Sequence, residues 1–109
     1  MNEGLTLDGL AVPLRVLRLL RVDFGHLPAP DVQVSPIYPN RLQLTFHNGL
    51  SDFESWREAL AVAAEAVAYR EQSDGRTRVL RAYGDYAGAE VELTGYGDVH
   101  APARVGSAA

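Results

Sequence analysis

The sequence predicts an α+β domain of order α-β-β-α-β-β, with a four-stranded, mostly antiparallel sheet and two helices packed on one of its faces. Three observations carry that prediction. Residues 10–24 and 51–71 repeat apolar side chains at three- and four-residue steps, as amphipathic helices do. Shorter stretches around Val32–Ser35, Leu42–His47, Thr77–Tyr83 and Ala89–Thr94 alternate apolar and polar residues, as half-buried strands do. Breakers separate the stretches: Gly25 and Leu27-Pro28-Ala29-Pro30, then Pro36–Asn40, Ser73-Asp74-Gly75 and Gly84–Gly88.

Taken in order, Met1 to Asp8 reads as a loose start. The first helix then runs from Leu10 to Phe24, with Leu10, Leu14, Leu17, Leu20 and Phe24 on one face. Pro13 fits there only in the first turn, where a missing N–H costs little. Gly25 stops the helix and the Leu-Pro-Ala-Pro segment forms a stiff linker. Val32 and Val34 form the next strand. Pro36 to Asn40 make a rigid hairpin tip, because strand interiors reject proline. In the strand that follows, Leu42, Leu44 and Phe46 face the core, while Gln43, Thr45 and His47 face away.

The second helix has the clearest start. Ser51-Asp52-Phe53-Glu54 matches a capping box, in which serine and glutamate each satisfy the other's backbone N–H. Its expected buried stripe is Phe53, Trp56, Leu60, Ala64 and Val67, ending near Glu71. A second hairpin, Thr77–Tyr83 and Ala89–Thr94, closes the domain. The boundaries expected are one domain over residues 1–98 and a flexible tail over 99–109, which is rich in small residues.

Composition excludes several functions. The chain has 109 residues, 47% of them apolar, enough for one real core. It has no cysteine, which removes disulfides, thiolate metal sites and cysteine nucleophiles. No apolar run reaches membrane-spanning length, and Met-Asn-Glu-Gly lacks the basic start of a secretory signal. The expected location is therefore cytoplasmic. A net charge of −4 argues against a general nucleic-acid binder. His26, His47 and His100 have no zinc-like spacing, and no serine sits in a nucleophile-elbow motif. Glu90 and Glu92 share a strand face, but a cross-strand ion pair with Arg81 explains them better than catalysis does. The sequence thus predicts a non-enzyme without cofactor or metal.

The remaining candidates are surfaces. Val12, Leu19 and Val22 lie opposite the main apolar face of the first helix, so that helix is apolar on two sides. This is what burial against the second helix or against another subunit would require, and the second is the reading favoured. Gln43, Thr45, His47, Arg81 and Glu90 fall on the open sheet face. Arg15, Arg18 and Arg21 form a stripe on the first helix. Arg76, Arg78 and Arg81 lie near Tyr83, Tyr86 and Tyr96 on the second hairpin, a mixture able to stack single-stranded nucleic acid or to grip a protein.

The runs Leu27–Pro30, Val34–Leu44, Asp52–Leu60, Arg70–Leu80 and Ala87–Tyr96 resemble small uncharacterised proteins of Streptomyces and related actinobacteria. The resemblance implies a bacterial cytoplasmic protein, found in the company of mobile-element and phage-like genes, and it transfers no functional residue. The expectation is a small interaction or regulatory protein acting as a homodimer through Val12, Leu19, Val22 and the open sheet face. The alternative is a nucleic-acid-associated protein using the arginine patches.

Overall fold

The computed structural model describes residues 5–72 and 75–98. The tail expected over 99–109 and part of the turn expected at Ser73-Asp74-Gly75 lie outside the described residues. After a 3-10 turn at Leu7–Leu10 come α1 (Ala11–Phe24), β1 (Asp31–Ser35), β2 (Tyr38–Phe46) and α2 (Leu50–Ala59). A short 3-10 turn at Ala64–Ala66 leads into β3 (Ala68–Gln72), β4 (Thr77–Tyr86) and β5 (Ala89–Asp98). The sheet has five strands in the order β1-β2-β5-β4-β3. The β2–β5 pair is parallel, and the other pairs are antiparallel.

The α+β class and both helices are as the sequence predicts, but the sheet is larger. Residues expected to complete the second helix instead leave it and form β3. The helix ends at a Schellman turn: Val62 N–H donates to the Arg57 carbonyl at 3.1 Å and Ala61 N–H to the Glu58 carbonyl at 3.0 Å. Ala61 sits at the left-handed position usually given to glycine, with φ of 59°. Arg57 Nη1 donates to the Val62 carbonyl at 2.6 Å and so ties the turn down. Val62 is buried, and its Cγ2 lies 3.0 Å from where a Cβ on Gly84 would be. Tertiary burial of Val62 therefore overrides the helix preference of the alanine-rich run.

Three local expectations also change. The capping box is not made, because the helix begins two residues earlier: Gly49, with φ of 116°, is the N-cap and Ser51 lies inside α2. Glu54 instead pairs with Arg57 at 2.8 Å. At the first hairpin the turn is shorter than expected, and Pro39 lies inside β2. It is tolerated because β2 joins β5 only from Arg41, and the β1 register breaks between Val34 and Ser35. The second hairpin turns on Ala87 and Gly88 alone, both with positive φ, so β4 extends to Tyr86.

The core lies between the sheet and both helices. Leu42, Leu44 and Phe46 of β2 and Val91 and Leu93 of β5 are buried there, as the alternation predicts. The buried face of α1 is Pro13, Val16 and Leu20, flanked by Val12, Leu17 and Phe24. That face is rotated from the expected leucine stripe, and Leu14 is 37% exposed. Pro13 is in the first turn, as its chemistry requires.

Candidate functional site

Two features have the geometry of a site: the open face of the sheet and a groove beside α1. The open face follows from register. Parallel pairing sets Arg41 beside Glu90, Gln43 beside Glu92 and Thr45 beside Thr94. Antiparallel pairing adds Tyr83 beside Glu92 and Arg81 beside Thr94. These side chains all project away from the helices, because residues paired across a ladder share a face.

Glu92 is the hub. It is only 5% exposed, although it lies on the uncovered face. Gln43 Nε2 donates to its Oε1 at 2.7 Å, and Tyr83 OH donates to its Oε2 at 3.2 Å. Arg81 Nε is 3.3 Å and Arg41 Nη1 3.8 Å from its carboxylate. A buried carboxylate is stable only with such donors around it. Arg41 also donates to Glu90 at 2.7 Å, and its guanidinium lies 4.3 Å from the Tyr38 ring centre and 5.4 Å from that of Tyr83. The hydrogen bond to Glu90 pushes the Arg41 pKa further up. Desolvation, followed by the Glu92 charge, raises the Tyr83 phenol above its ordinary value. At the far end of this face His47 stacks on Tyr96, with ring centres 5.1 Å apart, and its Nε2 is 3.3 Å from Asp31 Oδ2.

The open face brings together five of the residues expected to form an interface: Gln43, Thr45, His47, Arg81 and Glu90. The other three separate from them. Val12 packs against the core side of α1. Leu19 and Val22 are 38% and 76% exposed on α1, on the opposite side of the sheet. Of the expected glutamate pair, Glu92 meets Arg81, whereas Glu90 meets Arg41. Sequence reasoning did not single out Arg41. Alternation places Arg41 with Gln43, but its partners depend on a parallel pairing between strands distant in sequence.

The two expected arginine patches differ. Arg15, Arg18 and Arg21 are exposed along α1 and have no ion-pair partner among the described residues. The second patch is divided. Arg81 belongs to the Glu92 network, Arg78 falls on the other face of β4 beside Gly97, and Arg76 lies in the turn before β4. Tyr86 likewise turns to the helix side, where its ring lies tilted against that of Phe24 with centres 6.0 Å apart, and it hydrogen-bonds Asp23.

The groove runs between the second half of α1 and the proline linker, with a volume of about 460 Å³. Leu17 and Phe24 form one wall and Pro28 and Pro30 the other, with Leu44 and Trp56 at the bottom. Trp56 Nε1 donates to the Pro28 carbonyl at 2.7 Å, which fastens the linker to α2. Among the described residues, the charged side chains that line the groove are Arg18 and Arg21.

Among the described residues no group of His, Asp and Glu could hold a metal ion, and no helix is long and apolar enough to cross a membrane. No protein-family model matches the chain, and no curated protein or solved structure matches it either.

Proposed function

We propose that this chain is a non-enzymatic interaction module that associates through its open sheet face, with a second copy of itself as partner. The observation that supports this is the ordered Glu92 network at the centre of a sheet face that no described element covers. Tyrosine and arginine are favoured contact residues. Here Tyr38, Tyr83 and Arg41 are already held in place, which lowers the entropy cost of docking. Arginines and glutamates alternate across the face, so a two-fold contact can set the arginines of one copy against the glutamates of the other. Exposed Leu19 and Val22 on α1 provide a separate apolar contact region. A bacterial cytoplasmic setting accords with this reading.

Sedimentation equilibrium tests it. The wild-type chain should be dimeric at micromolar concentration. Thr45→Arg, on the open face but outside the Glu92 contacts, should be monomeric with an unchanged circular dichroism spectrum. A wild-type chain that stays monomeric at high micromolar concentration defeats the reading.

A second reading, nucleic-acid association, rests on the unpartnered Arg15, Arg18 and Arg21. It predicts a gel shift of DNA or RNA at low salt that weakens steeply as salt rises. The absence of any shift at low salt removes it.

A further inference from the structure

The groove beside α1 has a composition suited to one class of ligand. Its volume of about 460 Å³ lies within the roughly 300–1,000 Å³ of small-molecule sites. Its walls and floor are aliphatic, proline and aromatic. The indole N–H of Trp56, the one donor at the bottom, is already spent on Pro28. A polar ligand body would therefore be desolvated there without compensation. At the edge, Arg18 and Arg21 are two cations without an ion-pair partner among the described residues. Arginine forks match carboxylate geometry. Pro28 and Pro30 hold one wall with fixed φ, and the Trp56 hydrogen bond anchors it, so the groove needs little ordering to accept a ligand.

We propose that this groove binds a single-chain amphipathic anion, an alkyl carboxylate whose chain lies over Trp56 and Leu44 and whose head group reaches Arg18 and Arg21. The proposal is independent of the sheet-face association, which uses the opposite side of the molecule.

The chain has one tryptophan, and it lines the groove, so its fluorescence reports occupancy directly. Dodecanoate titrated below its micellar concentration should change Trp56 emission saturably with one site per chain. Dodecanol and dodecyltrimethylammonium should bind far more weakly. The double variant Arg18→Gln/Arg21→Gln should weaken dodecanoate binding by roughly tenfold, the size expected for two partly solvated charge contacts. Arg15→Gln, outside the groove, should bind as the wild type does. All these substitutions are at exposed side chains without partners, so the variants should fold, and circular dichroism checks that.

Several results would overturn the proposal. One is no saturable change, or equal binding of dodecanol, or equal binding by the double variant. Another is binding to phosphatidylglycerol vesicles or to an acidic leucine-rich peptide without binding of dodecanoate. A third is a Trp56 signal that changes on dilution of the protein alone, in step with dissociation by sedimentation; the groove would then hold a second copy.

Discussion

Glu92 is the residue on which most of the open face depends. Replacing it with alanine leaves Gln43, Tyr83, Arg41 and Arg81 facing a lost acceptor. Hydrogen bonds to charged groups contribute about 1.5–3 kcal/mol, and part of this is recovered because the arginines reach water. Glu92→Ala should therefore lower stability by about 2 kcal/mol, read as a shift in urea midpoint at constant slope. The same network gives a pH signature. Because Tyr83 is raised above 10.0 in the folded chain, its contribution is fully present below that ordinary value and is lost as pH rises through the higher folded value. Urea midpoints at about pH 9 and about pH 11 should fall further for the wild type than for Tyr83→Phe. Equal falls would show that desolvation and the Glu92 charge do not hold the Tyr83 phenol above its ordinary value in the folded chain. Ala61 offers the opposite effect. It occupies a left-handed position at φ of 59°, so Ala61→Gly should stabilise the chain by about 0.5–1 kcal/mol in the same assay.

At the level of elements, α2 is seated by glycines. A Cβ on Gly95 would come within 2.8 Å of the Phe53 Cβ, and one on Gly97 within 2.8 Å of the Leu50 Cγ. Phe53 is fully buried and close to its own backbone at that contact, whereas Leu50 is only half-buried and can swing away. Gly95→Ala should cost about 1–3 kcal/mol, and Gly97→Ala clearly less; the reverse order of urea midpoints would contradict this seating. These contacts also mark what the sequence could reveal. Alternation in β2 and β5 identified their core faces, because apolar side chains point to the helices while polar ones, even the buried Glu92 and Thr94, point to the open face. The end of α2 was hidden, since the Schellman turn uses alanine where glycine would have signalled a stop. The edge strand β3 was hidden too, since all of its side chains are exposed and no burial pattern forms. The Glu92 network was half legible: residue faces follow from alternation, but the pairing of β2 with β5 is set by long-range packing. The groove was not legible, because Leu17, Pro28 and Trp56 meet only after α2 crosses the sheet.

For the molecule as a whole, stability should fall outward from the middle of the sheet. The centre is β5, hydrogen-bonded on both sides, with five consecutive buried residues from Val91 to Gly95. At one edge, β3 pairs with β4 alone and places no side chain in the core. Opening β3 exposes almost no apolar surface, so it needs far less free energy than opening β5, which requires global unfolding. Native-state hydrogen exchange should therefore find the β5 and β2 amides slowest and those of β3 fastest among the strands. The other edge, β1, should lie between them, because Val34 packs against the core. Exchange also separates face association from edge association. If two copies meet face to face, β3 exchange stays fast at every protein concentration, since its outer N–H groups remain in water. If two copies instead join edge to edge through β3, its amides gain partners, and their protection rises with protein concentration. Slow β3 exchange that tracks dimer formation would thus transfer the interface from the Glu92 face to the strand edge.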